Sequence, residues 1–269
     1  MGGEFNARPS KVATSLESRL EVNAPRQALI TTLLRGERQL RGWSKFSSFD
    51  TGREGYVGVT ARDNRLFVEA VLWRYRSGSA WRDLPERFGH FRKVHTRFSR
   101  WCRAGVWRRV FEHLAADADN EYAMIDATIV RAHQHSAGAK KRGARDQALG
   151  RSRGGMSTKI HTRVDALGNP TDFHLTPGQA HDLEGADALL PGCKAACVIG
   201  DRAFDAQARL IEPLLAAAKT VVIPLRSTRK YQRDYDCHLY KARHLIENFF
   251  AKLKQYRAVA TRYSWAPST

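Results

Sequence analysis

Three carboxylates in this chain stand where acids of this kind could do chemistry together. Asp126 interrupts the apolar segment AMIDATIV, and Asp201 directly follows the apolar segment ACVIG. A charged group inside an apolar strand must be paired or lie at an edge, and ligand sites of open α/β sheets gather at the carboxyl ends of strands. Other interpretations stay open, because Asp126 could pair with Arg131 and Asp201 could cap a following helix while Asp205 acts.

The third carboxylate, Glu247, belongs to a predicted helix over residues 240–256. At about 100° per residue, a polar stripe only about 60° wide is formed by Tyr240, Arg243, Glu247 and Lys254. The apolar residues of the segment fall on the other side, where they would pack on a sheet. A surface helix with an ordinary Arg243–Glu247 pair, worth about 0.2 to 0.5 kcal/mol, is the alternative.

These acids suit phosphodiester chemistry. Two divalent cations about 3.5 to 4 Å apart activate a water or a 3′-hydroxyl and stabilise the leaving oxygen, and hard cations of this kind prefer carboxylate oxygens. Arg243 and Lys254 would then hold the non-bridging phosphate oxygens, and Tyr240 would hydrogen-bond or stack at the cleaved end.

The elements that must position the acids follow from hydrophobic periodicity. Strands are predicted at 123–130, 158–164, 171–175, 196–199 and 220–224. Helices are predicted at 203–218 and 240–256, with a short helix near 182–189. This order predicts an α/β fold with a mixed sheet.

A basic helical block precedes the sheet. Residues 53–110 carry fourteen Lys and Arg against five Asp and Glu, with helices predicted from residue 61, at 80–87, at 91–103 and at 106–114. The spacing suits a helix-turn-helix with segment 91–103 in a major groove. Its predicted DNA contacts are Arg92, Lys93, Arg97 and Arg100. An ordinary basic surface on a helical bundle is the alternative.

The domain boundaries follow from these patterns. Residues 1–52 are predicted to be a poorly ordered leader, 53–118 a helical DNA-binding domain, 119–262 the catalytic domain and 263–269 an atypical end. Segment 136–155 holds five glycines and six basic residues, and it is predicted to be a flexible loop that either solvates itself or orders on a DNA backbone.

Charge and composition narrow the class of protein. The 269 residues carry a formal net charge of +18, which predicts a polyanionic partner such as nucleic acid. No apolar run approaches the roughly 20 residues of a membrane-spanning helix, and no signal core is visible. The four cysteines lack the spacing of a zinc site and fit a reducing interior, so a cytoplasmic, nucleoid-associated protein is expected.

The polar stripe also carries a resemblance to a known family. Tyr240-x2-Arg243-x3-Glu247-x6-Lys254 resembles the Tyr-Arg-Glu-Lys signature of DDE transposases from bacterial insertion sequences, in the branch of the fourth and fifth families. MIDATIVRAHQH around Asp126 and VIGDRAFDA around Asp201 resemble the settings of the other two acids. The helical segments upstream are similar to the DNA-binding region of these enzymes.

The resemblance implies an RNase H-like catalytic fold with Asp126, Asp201 and Glu247 as catalytic residues and metal ligands. It also implies Mg²⁺, with Mn²⁺ able to substitute, and double-stranded DNA as partner, both as terminal inverted repeats and as target. Two element ends imply a homodimer or a higher oligomer in a synaptic complex. The alternatives are a decayed copy that only binds DNA and an RNase H-like nuclease that cleaves without joining.

The two ends of the chain and several further polar residues also carry expectations. Residues 1–51 and the ending TRYSWAPST depart from the family pattern, which suggests a frameshifted, fused or truncated copy. His133 and His135 are expected to contact DNA or solvent rather than a metal. Lys159 and His181 are expected near the active site, and the reserve metal ligands are Asp182 and Glu184.

Overall fold

A computed structural model describes residues 63–133, 148–229 and 233–262. The predicted leader, the end at 263–269, His135 and most of the basic loop lie outside the described residues. Within them, a group of helices comes first and a mixed sheet with flanking helices follows. None of the described helices has the length and apolar character needed to cross a membrane.

Three helices form the amino-terminal region: α1 (Asn64–Ser77), α2 (Phe91–Arg103) and α3 (Val106–Ala115). The Asp63 carboxylate caps α1 by accepting from the Leu66 amide at 2.9 Å, as expected for an acid at this position. At the other end, Gly78 takes the left-handed conformation, with φ of 73°, that ends helices.

The predicted helix at 80–87 is wrong. The segment instead forms two short 3-10 turns, Trp81–Asp83 and Glu86–Phe88. Pro85 lacks an amide hydrogen and disfavours helical backbone at the residue before it, so Leu84 is extended, with ψ of 127°. Because these turns separate α1 from α2, the connection is longer than the three or four residues of a helix-turn-helix.

Six strands build the sheet: β1 (Tyr122–Arg131), β2 (Gly150–Ser152), β3 (Gly155–Val164), β4 (Pro170–Pro177), β5 (Cys197–Ile199) and β6 (Thr220–Val222). Their order is β2-β3-β1-β5-β6, and β4 also pairs with β3. Strands β3 and β4 run antiparallel to their neighbours, whereas β1, β5 and β6 are parallel. The predicted mixed sheet is confirmed, and β2 is a strand within the segment predicted to be a loop.

Helices flank this sheet: α4 (Asp182–Leu189), α5 (Glu212–Ala216), α6 (Cys237–Tyr240), α7 (His244–Gln255) and α8 (Arg257–Ala260). The continuous helix predicted at 203–218 is wrong, because a 3-10 turn, Arg202–Phe204, and a π-helical turn, Gln207–Ile211, precede the five residues of α5. The helix predicted at 240–256 begins earlier, in α6, and passes through a 3-10 turn, Lys241–Arg243, into α7.

One apolar core joins the helical region to the sheet. Trp101 and Trp107 of that region belong to the same buried cluster as Met124 of β1 and Ile246 of α7. The opposite face of the sheet packs on a second cluster, formed with α4 and the segment before β6. The helical region is therefore packed against the face of β1 that also meets α7.

Candidate functional site

The first two predicted acids lie side by side because of the register of two parallel strands. Met124 of β1 is opposite Ile199 of β5. Asp126 and Asp201 each follow that pair by two residues, and β5 ends before it can cover the edge of β1 beyond this point. Neighbouring strands are about 4.8 Å apart, so the two carboxylates share the carboxyl end of the parallel part of the sheet.

Asp126 sits in a half-closed environment that disfavours its charge. Its side chain is 17% exposed, and burial raises the pKa of Asp126 to about 6. The Ala127 amide, which donates to Oδ1 at 2.7 Å, and the Arg243 guanidinium oppose this rise. The negative charges of Asp201 and Asp182 reinforce it. The charges of two other acids therefore reach Asp126.

The helical stripe brings the third acid to this place through Arg243. The Arg243 Nη1 donates to Asp126 Oδ2 at 2.9 Å, and its Nη2 donates to Glu247 Oε1. Arg243 is 21% exposed and Glu247 is 54% exposed. One guanidinium thus joins two carboxylates that are far apart in the sequence.

Asp201 and Asp205, which the sequence left as rivals, have different environments. Asp201 stands two residues after the end of β5 and accepts a hydrogen bond from the Ala203 amide at 2.8 Å, so it also caps the turn that follows it. Asp205 is fully buried, and the Arg229 Nε lies 2.9 Å from its Oδ2. The negative charge of Asp201 helps to raise the pKa of Asp126, as expected of a neighbouring acid.

A fourth acid, Asp182, affects Asp126 electrostatically, since its negative charge helps to raise the pKa of that carboxyl. Asp182 begins α4, and the Lys159 Nζ of β3 lies 3.1 Å from its Oδ1. The same ammonium donates to the Ala180 carbonyl at 2.7 Å. His181 caps α4 through the Leu183 amide. Lys159 and Asp182 thus form a charged pair at the start of α4, and their expected place near the active site stays a prediction.

The remaining members of the stripe flank the three contacting groups. The Tyr240 ring makes an edge contact with Tyr235, with centroids 5.7 Å apart. Lys254, two helical turns beyond Glu247, lines an open groove with Ile129 and His133. Ile129 is 44% exposed in this groove. The stripe therefore runs along the uncovered edge of β1.

The four predicted DNA contacts on α2 do not share one environment. Arg92, Lys93 and Arg100 are exposed. The Arg97 guanidinium instead lies over the Phe67 ring, 4.3 Å from its centroid. Because Arg97 falls on the border of the apolar face of α2, its cation packs on the aromatic core.

Comparisons with known proteins identify the family of this chain. A family model described as "Transposase DDE domain" matches residues 119–265, more than half of the chain. A second model, "Putative transposase of IS4/5 family", matches residues 41–111. The chain belongs to the DDE transposases of bacterial insertion sequences. The predicted family and the predicted α/β fold with a preceding helical region are thereby confirmed.

Two relatives cover shorter stretches of this transposase. A protein of Brucella ovis named "Putative transposase for insertion sequence element IS6501" is 44% identical over 111 residues, which are 40% of this chain and 83% of the relative. An uncharacterised protein of Sinorhizobium fredii, y4sN, is 48% identical over 99 residues, 37% of this chain and 79% of the relative. No solved structure gave a significant match.

DDE transposases generally use divalent metal ions. The candidate site of this chain offers the type of donor atom that such an ion binds. Carboxylate oxygens are the donors that hard divalent cations prefer, and the register of β1 and β5 places Asp126 beside Asp201. Glu247 is held on the far side of the Arg243 guanidinium. Among the residues that the structure describes, no three Asp, Glu, His or Cys side chains converge on one point.

Sequence reasoning missed the arginines around Asp205. The Arg226 amide and the Arg229 side chain both donate to Asp205 Oδ2, at 3.0 and 2.9 Å. A signal was present, since an acid between Phe204 and Ala206 needs a cation if it is buried. The partner lay more than twenty residues away, and spacing alone could not identify it.

Proposed function

We propose that this transposase binds the terminal inverted repeats of its element, hydrolyses one phosphodiester at each end and joins the freed 3′-hydroxyl to target DNA. One observation carries the proposal: a single guanidinium, that of Arg243, contacts both Asp126 and Glu247, and Asp126 lies beside Asp201. The acids of the signature thus gather at one edge of the sheet. The family to which the chain belongs supports the same reaction.

Asp126, Asp201 and Glu247 are the catalytic residues in this proposal. They would hold Mg²⁺, or Mn²⁺ in its place, which supplies Lewis-acid activation of the attacking oxygen and stabilisation of the leaving oxygen. Hydrolysis breaks the bond between phosphorus and the 3′-oxygen, and the water proton is transferred to that oxygen. In joining, the freed 3′-hydroxyl would attack a phosphorus of the target strand. The bond between that phosphorus and the target's own 3′-oxygen breaks, and the proton of the attacking hydroxyl is transferred to the leaving oxygen.

The cations and the tyrosine of the stripe would position the DNA strand. Lys254 lies in the open groove next to the edge of β1, where its ammonium can meet a phosphate. Arg243 can turn from the carboxylates to the non-bridging oxygens when cations neutralise the acids. Tyr240, half-buried against Tyr235, offers its ring or hydroxyl to the cleaved end.

The helical region would dock on the duplex through α2. Arg92, Lys93 and Arg100 are exposed on the face opposite the aromatic core, as phosphate contacts require. Arg97 supports this surface from within by packing over Phe67. We further propose that two or more protomers join the two element ends in a synaptic complex on the nucleoid.

The experiment replaces Glu247 by Gln, which keeps the shape of the side chain and removes its charge. Purified Glu247→Gln should bind a duplex carrying the inverted repeat with wild-type affinity and lose cleavage in Mg²⁺ by at least about 100-fold. The matched control is Glu69→Gln, since Glu69 also forms an i,i+4 pair with an arginine, Arg65.

Three outcomes would count against the proposal. Wild-type cleavage retained by Glu247→Gln would exclude Glu247 from the reaction. Binding of the element end by the wild-type chain without any cleavage would indicate a copy that only occupies DNA. Cleavage without joining would indicate a nuclease.

A further inference from the structure

The second acid of the segment GDRAFD, Asp205, is fully buried and bound from several sides. Its Oδ2 accepts from the Arg226 amide at 3.0 Å and from the Arg229 Nε at 2.9 Å. Its other oxygen lies 4.0 Å from an Arg233 nitrogen. A buried carboxylate with such partners fixes the position of whatever elements carry them, because separating the charges would leave one of them uncompensated.

The elements that Asp205 joins are the segment following β6 and the turn that carries Asp201. The Arg226 side chain makes further hydrogen bonds between the same two segments. Its Nε donates to the Arg202 carbonyl at 3.2 Å and its Nη2 to the Ala203 carbonyl at 3.1 Å. Two carbonyls of the turn Arg202–Phe204 and the Asp205 carboxylate just after it are thus bound to one arginine.

The same turn holds the Asp201 carboxylate. The Ala203 amide donates to Asp201 Oδ1, while the carbonyl of Ala203 accepts from Arg226. The Asp201 carboxylate therefore accepts from the peptide unit between Arg202 and Ala203, and the carbonyl of that same unit accepts from Arg226. Since the backbone here leaves the sheet at Gly200, the strands alone do not determine where that carboxylate points.

We propose that Asp205 and Arg226 are positioning residues that set the orientation of the Asp201 carboxylate. The inference rests on the proposed function of Asp201, but it makes a claim about the turn that holds without DNA or metal. It also explains why the chain has two acids in one turn: one faces the site and the other anchors the turn.

The test compares Arg226→Ala with Arg209→Ala in the full chain. Arg226→Ala removes the two bonds to the turn and leaves the backbone bond to Asp205 in place. Arg209 is the control, because its side chain pairs with Asp187, about half exposed, rather than with the turn Arg202–Phe204. Amide hydrogen exchange of residues 200–206 should become about tenfold faster in Arg226→Ala and should not change in Arg209→Ala.

A second measurement separates positioning from mere structure. With the inverted-repeat duplex and Mn²⁺, Arg226→Ala should lower kcat about tenfold while KM stays within about twofold of wild type. A raised KM with unchanged kcat would make Arg226 a DNA contact, and a lowered unfolding temperature with unchanged kcat would make it only structural. Either result, or unchanged exchange at 200–206, would overturn the proposal.

Asp205→Asn provides the second variant, with Asp187→Asn as its control. Asp205→Asn should accelerate exchange in the same segment, even if its unfolding temperature falls. If the wild-type chain fails to cleave DNA, the proposed function fails. The exchange comparison would still decide whether Asp205 and Arg226 hold the turn.

Discussion

Replacement of Arg243 by Gln should strengthen the binding of a divalent cation to the DNA-free protein. The guanidinium donates to Asp126 and to Glu247, so a cation that uses these oxygens must compete with it. Gln keeps a polar side chain of moderate length and removes the positive charge. In the variant, the carboxylates would be available to the ion without that competition.

The expected gain in cation affinity is estimated from the solvent exposure of the two contacts that Arg243 makes. Arg243 and Asp126 are 21% and 17% exposed, so their charge-assisted hydrogen bond falls at the lower end of about 1.5 to 3 kcal/mol. Glu247 is 54% exposed, and solvent screening leaves its contact with little weight. About 1.5 kcal/mol corresponds to roughly tenfold tighter binding.

The assay is calorimetric titration of Mn²⁺ into metal-free wild type and Arg243→Gln at low salt. Arg65→Gln is the control, since Arg65 forms an exposed pair with Glu69 at the same spacing. We expect the Mn²⁺ dissociation constant to fall about tenfold in Arg243→Gln only. An unchanged or larger dissociation constant would refute the argument, because Arg243 would then orient the carboxylates for the ion instead of competing with it.

Three other predictions concern stability and DNA docking. His161 is fully buried and burial lowers its pKa to about 4, so neutral His161 stabilises the fold above about pH 6.5 and that contribution, about 3 kcal/mol, is lost as the pH falls to 4. The unfolding free energy of wild type should approach that of His161→Gln over this window; a pH-independent difference would contradict it. Trp107→Ala should cost about 3 to 5 kcal/mol in urea unfolding, since Trp107 is fully buried, against less than about 0.5 for the exposed Leu215→Ala. Arg100→Ala should weaken duplex binding and reduce the salt slope by about one, whereas Arg97→Ala should chiefly reduce stability; equal salt slopes for Arg100→Ala and wild type would exclude the phosphate contact.

The hydrophobic pattern of the sequence correctly predicted those helices and strands that depend mainly on their own residues. Helix α2 has the predicted bounds because its apolar residues recur on one face and Ala104-Gly105 follows it. The segment at 203–218 looked helical but is broken, since its first part is held by Asp205 and Arg226 rather than by helical hydrogen bonds. The structure of segment 203–218 therefore depends on contacts with residues that are distant in the sequence.

The contacts of the candidate site also include some that the local sequence predicts and some that only the folded structure creates. The Arg243–Glu247 contact was predictable, because four residues on a helix bring side chains together. The Arg243–Asp126 contact joins residues 117 positions apart, and only the packing of α7 on the sheet creates it. Likewise, the sequence favoured Asp201 over Asp205 only because Asp201 follows the apolar strand. The burial of Asp205 depends on the arginines after β6, which the local pattern does not show.

The most direct measurement of the central claim is a cleavage and joining assay with purified protein, Mg²⁺ and a labelled duplex carrying the flanking inverted repeat. Asp126→Asn, which leaves the Arg243 donor in place and removes one charge from the site, is the paired variant. We expect metal-dependent nicking at the element end and joining to target DNA by wild type, with both lost in Asp126→Asn. Equal cleavage by the two proteins would contradict it, since the reaction would then not depend on the acids gathered at the end of β1 and β5.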